Sequence, residues 1–168
     1  MSLQLPQVLI DEMIAHSRDD LPNECCGVIG RAADGALTLW RATNDQASPW
    51  RFNIPAQQLL HLYNEIDDAD GDLLVIYHSH VASEARPSPT DLNIARLHKG
   101  ATEWPYWVLV SLADEPPSVR AWRIDEGDDP DTVKAAEIDL LIDSGRAERK
   151  RLEMIEVDGR SRVRETSL

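Results

Sequence analysis

The sequence predicts an α+β sandwich, a single domain with a mixed β-sheet and helices packed against it. Apolar residues recur at helical spacing in two early segments, Leu9, Ile10, Met13 and Ile14, then Leu59, Leu60, Leu62, Tyr63 and Ile66. The uninterrupted run Leu73-Leu74-Val75-Ile76-Tyr77 has the pattern of a strand covered on both faces. A chain of 168 residues, 42% of them apolar, suffices for one core, and no repeat or linker divides it.

Taken in order, Pro6 suits a first helical turn, and Leu5, Leu9 and Met13 continue from it, so a helix is expected over about 6–18. Asp19 to Asn23 is turn chemistry. Cys25–Ile29 then forms a short buried strand ending at Gly30. Asp34-Gly35 is a hairpin signal, followed by alternation over Leu37–Ala42, so two antiparallel strands result. The polar segment 44–53, with Pro49, Trp50 and Phe52, leads past Pro55 into the second helix, which Gly71 closes. The apolar strand runs from Leu73 into His78-Ser79-His80. Pro87 to Asp91 opens a third helix reaching about His98, and Trp104–Leu112 and Val119–Ile124 supply two further strands. For Val133–Ile142 the periodicity fits a strand or a helix. The segment after Asp143 is charged, without a sustained apolar face, and is expected to be a mobile tail or a partner contact.

A formal charge of −13 repels a nucleic-acid backbone, and no basic patch appears before the last residues. From Asp143 to Leu168 seven Lys and Arg oppose six Asp and Glu, so residues 1–142 carry −14 and the acidity belongs to the body of the protein. No apolar stretch approaches the roughly 20 residues that span a bilayer, and the N-terminus lacks a basic region followed by an apolar run. A cytoplasmic protein is expected. The only cysteines, Cys25 and Cys26, are adjacent, which disfavours a disulfide, so they are read as reduced core residues.

The chemistry concentrates downstream of the apolar strand. Residues two apart on a strand face the same side, so His78 and His80 present both imidazoles together. Asp91 lies three residues beyond Ser88, where a first helical turn brings its carboxylate back toward them. Two imidazoles and a carboxylate make three ligands for zinc and leave a fourth position open, as a catalytic site requires. Amide hydrolysis also needs a group that takes a proton from water and returns it to the leaving amine. Glu24, the acidic residue anchored beside the Cys25–Ile29 strand, is the candidate, and Ser88 is positioned to donate to an oxyanion.

Blander readings exist for each part. Ser88-Pro89-Thr90-Asp91 is also a good helix start, with Ser as N-cap, Pro at N1 and Asp at N3. A lone His-x-His pair is commonly two polar residues at a strand end, Trp50 and Phe52 suit either a substrate lip or a loop anchor, and His98 suits a helix-dipole partner. His16 and His61 receive no role. The conjunction of His-x-His with Ser-x-x-Asp at this spacing should arise by chance in roughly one chain in a thousand.

With Glu24, His78, His80, Ser88 and Asp91 in this order, the chain resembles the JAMM, or MPN+, metalloprotease family, whose signature is a Glu upstream of His-x-His-x7-Ser-x-x-Asp. The likeness covers roughly residues 5 to 125 and leaves the tail unexplained. It is greatest with a small bacterial branch, through Glu24-Cys25-Cys26-Gly27-Val28-Ile29 and Tyr77-His78-Ser79-His80. The resemblance implies a cytidine-deaminase-like/MPN sandwich, with residues 1–142 as the catalytic domain and 143–168 as a charged tail of unknown role. It implies Zn2+ on His78, His80 and Asp91, Glu24 as general acid/base and Ser88 as oxyanion stabiliser.

That branch cuts the amide between the C-terminal Gly-Gly of a ubiquitin-like sulfur-carrier protein and cysteine, so such a carrier is the implied partner, its tail lying beside a strand edge. Neither nucleic acid nor membrane is implied, and a homodimer stays open. Two alternatives accompany this expectation: a related peptidase trimming another ubiquitin-like C-terminus, and a non-catalytic MPN scaffold. Val81 replaces the Pro that often follows the second His, a departure that bears on substrate choice more than on the ligands.

Overall fold

The structure is a computed structural model that describes residues 1–97, 104–129 and 131–144, together with the backbone of 151–157 and 160–166. Its elements are β1 (Ser2–Pro6), α1 (Gln7–Asp19), β2 (Cys26–Arg31), β3 (Leu37–Ala42), α2 (Ala56–Asp67), β4 (Asp72–His80), α3 (Pro89–Leu97), β5 (Tyr106–Ser111), β6 (Ser118–Glu126), β7 (Val133–Asp143), β8 (Arg151–Val157) and β9 (Arg160–Thr166). The strands form one sheet in the order β1-β7-β6-β5-β4-β2-β3-β9-β8. The pairs β4–β5 and β1–β7 are parallel and the others antiparallel, so the sheet is mixed as expected.

Helices cover both faces, and the side chains of β4 show why its apolar run is unbroken. Val75 and Tyr77 join Leu9, Ile10 and Met13 of α1 in one apolar layer. Ile76 belongs to the opposite layer, with Leu62 and Ile66 of α2 and Ala95 of α3. A strand buried on both sides has no position for a charged residue until it leaves the sheet. His78 and His80 lie on the α2/α3 side of the strand's end, while Ser79 turns to the α1 side.

The β2–β3 hairpin turns at Gly35, whose φ of +86° is a conformation that side chains disfavour. Gly27 of β2 answers to space instead: a Cβ there would stand 2.4 Å from the Trp40 carbonyl oxygen and 2.5 Å from the Tyr77 ring. The bare backbone leaves room for the Tyr77 ring beside β2, which stays closely paired with β4, Cys26 opposite His78. Both cysteines are free and buried.

Two expectations change and one open alternative is resolved. Leu5 belongs to β1, an edge strand parallel to β7, and the first helix starts one residue past Pro6, which becomes its N-cap. Val133–Asp143 is a strand, chosen by pairing with β6 that no local periodicity encodes. The segment read as a tail supplies β8 and β9, with β9 pairing along Thr38–Trp40 of β3. His98 lies outside the described residues. Among the described residues no helix is long and apolar enough to cross a membrane.

Candidate metal centre

The end of β4 and the first turn of α3 face each other across the loop 81–88. Ser88 caps α3, its Oγ accepting from the Asp91 amide at 3.2 Å, while the Ser88 amide donates to Asp91 Oδ2 at 2.7 Å. This reciprocal pair is a capping box with Asp at N3. It turns the Asp91 carboxylate back toward the sheet, where Oδ1 lies 3.3 Å from His78 Nε2 and Oδ2 lies 3.4 Å from His80 Nε2. The two Nε2 atoms are 3.2 Å apart. All three side chains are buried, with relative exposures of 0%, 5% and 2% for His78, His80 and Asp91.

These separations have a simple chemical reading. His80 Nδ1 is 2.7 Å from the Glu84 carbonyl oxygen and must donate to it, which in the neutral ring leaves a lone pair on Nε2. In the neutral ring that lone pair and the carboxylate repel each other, and either a proton on Nε2 or a cation between the donors relieves the repulsion. Ligand bonds of about 2.0–2.1 Å in a tetrahedron would set donor atoms roughly 3.3 Å apart, close to the 3.2 Å between the two Nε2 atoms and the 3.3 Å from His78 Nε2 to Asp91 Oδ1. Among the described residues, His78, His80 and Asp91 are the group of side chains able to hold a metal ion.

Charge follows the same pattern. Burial opposes the Asp91 carboxylate, but His78, His80 and the Ser88 amide outweigh it and hold its pKa well below the carboxylate range. Burial lowers the pKa of His78 and favours the neutral ring that ligates metals. For His80 burial acts downward, and the acceptors Asp91 and Glu84 carbonyl overcome it to raise the pKa.

Glu24 arrives from another part of the chain, just ahead of β2. Its amide donates to the Ser48 carbonyl at 2.9 Å, and its own carbonyl accepts from Asn44 Nδ2 at 3.0 Å. The next residue is tied to β4, with the Cys25 amide donating to Ser79 Oγ at 2.8 Å and the Ser79 amide to the Cys25 carbonyl at 3.1 Å. Glu24 is 4% exposed, and its Oε2 is buried without a hydrogen-bond partner among the described residues. Burial pushes its pKa up to about 7, with the nearby Asp91 charge adding to the rise and His80 opposing it. A carboxyl group that takes up and releases a proton near neutrality suits acid/base work.

The structure thus gathers His78, His80 and Asp91 at one point, with Ser88 at the helix cap beside Asp91 and Glu24 near enough for its carboxyl group to feel the charges of His80 and Asp91. It also reveals supports that the sequence reading missed. Asn44 Oδ1 accepts from the Gln46 and Asn53 amides while its Nδ2 holds the Glu24 and Arg51 carbonyls. Ser111 Oγ donates to the Ser83 carbonyl at 2.6 Å and Trp122 Nε1 to the Ala85 carbonyl at 2.9 Å, which pins the loop whose Glu84 carbonyl orients His80. Trp50 and Phe52 part company: Phe52 is buried and stacks on His78, whereas Trp50 is 72% exposed. His16 is buried beneath the sheet, its Nδ1 2.8 Å from the Tyr77 hydroxyl, and burial lowers its pKa to about 4.

Comparison with known proteins places this geometry in context. Residues 6–125 match the family described as prokaryotic homologs of the JAB domain. The chain is 35% identical over 122 residues to the CysO-cysteine peptidase of Mycobacterium tuberculosis, covering 71% of this chain and 80% of that protein. It is 27% identical over 124 residues to the desampylase of Haloferax volcanii, covering 69% of this chain and 84% of that protein. A solution structure of a protein from Desulfitobacterium hafniense superposes with a TM-score of 0.63 at 26% identity, over 84% of this chain and 92% of that one.

Proposed function

The chain belongs to the family of prokaryotic homologs of the JAB domain, the JAMM or MPN+ hydrolases, and from that footing we propose that it is a zinc-dependent amidase of a ubiquitin-like sulfur carrier. The bond cut joins the carrier's C-terminal Gly-Gly to cysteine, and free cysteine is the product. One observation carries the reading: the two imidazole Nε2 atoms of His78 and His80 and the two carboxylate oxygens of Asp91 approach one another at 3.2 to 3.4 Å, beside a buried carboxyl group with a pKa of about 7. The choice of cysteine adduct rests on the likeness to the CysO-cysteine peptidase.

In this reading His78, His80 and Asp91 hold the ion, and two imidazoles with one carboxylate favour zinc over the oxygen-seeking magnesium and calcium. When bound, such an ion supplies Lewis acidity, lowering the pKa of water toward about 7 and polarising a carbonyl. Glu24 takes the proton from the attacking water and returns it to the leaving amine, which its pKa near neutrality allows in both directions. Ser88 Oγ accepts one bond from the Asp91 amide, so its hydroxyl proton is available to the oxyanion that develops on the carbonyl. Residues 1–142 form the catalytic domain in a cytidine-deaminase-like/MPN arrangement, residues 143–168 are a charged C-terminal segment of unknown role, and the protein works in the cytoplasm.

A second reading, in which the chain trims another ubiquitin-like protein, is favoured by the likeness to the desampylase. A purely structural scaffold is disfavoured by the intact ligand set. Incubating the protein and zinc with a carrier ending in Gly-Gly-Cys, and weighing the product by mass spectrometry, separates these. Loss of one cysteine residue supports the first reading, loss of a longer C-terminal extension from a precursor supports the second, and an unchanged mass for both substrates overturns both.

A further inference from the structure

The two histidines of the site are oriented by different means. His80 follows the usual rule for a metal-binding imidazole, its far nitrogen bonded to the Glu84 carbonyl at 2.7 Å. His78 does not: its Nδ1 is buried and has no hydrogen-bond partner among the described residues. Its ring is instead enclosed by aromatic surfaces. Phe52 lies face to face with it, centroids 4.5 Å apart and planes 25° from parallel, and Trp107 meets it edge-on at 6.0 Å and 83°. Phe52 in turn leans on Trp107 at 6.3 Å.

We propose that Phe52 is the positioning residue for His78, setting by stacking the ring plane that a hydrogen bond sets for His80. The proposal rests on the reading of His78 as a metal ligand. A half-turn of the imidazole about its Cβ–Cγ bond exchanges Nε2 with Cε1 and Nδ1 with Cδ2 while leaving the plane, and hence the stack, unaltered. Phe52 therefore fixes the plane, and Asp91, 3.3 Å from Nε2, decides which edge faces the site. Metal affinity must then depend on an aromatic ring that offers no donor atom of its own. Phe52 also sits in the same 44–53 loop whose Ser48 carbonyl receives the Glu24 amide, so one loop seats the acid/base group and levels the ligand.

The test measures metal affinity by competition with a chromogenic chelator, and the ligand-field absorption of the cobalt(II)-loaded protein. Phe52→Leu should weaken binding by about 10- to 100-fold, the usual effect of removing a group that orients a ligand, and should alter the cobalt spectrum. Phe52→Met, unbranched and able to fill the same space, repeats the comparison should the Leu variant fail to fold. Leu62→Ala, in the same apolar layer but on α2, should lower thermal stability and leave affinity and spectrum unchanged. Phe52→Tyr, which keeps the ring face, should stay close to the unmodified protein in both. Unaltered affinity and spectrum in the Leu and Met variants, or an equal loss in Leu62→Ala, overturns the role of Phe52 and leaves the functional reading standing. Failure of the unmodified protein to bind metal overturns both.

Discussion

Asp91 is held by the backbone of Ser88, whose amide donates to Oδ2 at 2.7 Å, while the Ser88 hydroxyl accepts from the Asp91 amide. The bond that aims the carboxylate therefore survives replacement of the serine side chain. Ser88→Ala should keep its metal, lose about 1 kcal/mol of stability with the helix cap, and lose about 10²- to 10³-fold in kcat. Elemental analysis, thermal denaturation and steady-state rates read the three effects separately. A stability loss with unchanged kcat would leave Ser88 as a cap alone.

His80→Ala and Asp91→Asn should each abolish stoichiometric metal, because each alters one of three side chains whose donor atoms approach one another at 3.2 to 3.4 Å. Elemental analysis after dialysis checks this, and full zinc in either variant would contradict the ligand assignment.

Glu24→Gln should retain metal and lose nearly all turnover. In the metal-free protein it also has a stability signature. Burial raises the Glu24 pKa from its ordinary 4.5 to about 7, equivalent to roughly 3 kcal/mol between the two states of the carboxyl group. Because the folded protein holds this proton more tightly, stability falls as pH rises from 4.5 through 7 and is flat above. Glutamine does not titrate, so the variant should match the unmodified protein below pH 4.5 and exceed it by up to about 3 kcal/mol above pH 7. Urea unfolding in a chelator across this range tests it. A difference independent of pH would mean that Glu24 is not desolvated.

Asn44→Ala should keep metal yet lower kcat about a hundredfold, because it frees the Glu24 carbonyl and the loop that receives the Glu24 amide. The lost hydrogen bonds should cost about 2 kcal/mol. Normal kcat with normal metal content would show that Glu24 is seated by its ties to β4 alone.

Much of this arrangement was legible in the sequence where the signal is local. The unbroken run of β4 announced a strand covered on both faces, and the spacing of His78, His80 and Asp91 follows from a strand end and a capped helix close by. Glu24 was marked weakly, by its place just ahead of the Cys25–Ile29 strand, because it is one of 30 acidic residues, and the family signature was needed to single it out. Asn44, Ser111 and Trp122 escaped because their partners are backbone carbonyls, which every residue possesses. Strand β1 was hidden by brevity: Leu3 and Leu5 are its only buried residues, and Pro6 points equally to a helix start. For β7 the decisive interaction is the register with β6, Ala121 opposite Ile138, a relation between distant segments.

Every candidate ligand lies between His78 and Asp91, on one strand, one connection and one helix start. An ion seated there would act as a clasp joining the rim of the sheet to the neighbouring helix, shortening the free path of the intervening segment much as a covalent tie would. Chelation should accordingly slacken residues 81–88 far more than the β2 margin, and amide-exchange rates would register that contrast segment by segment.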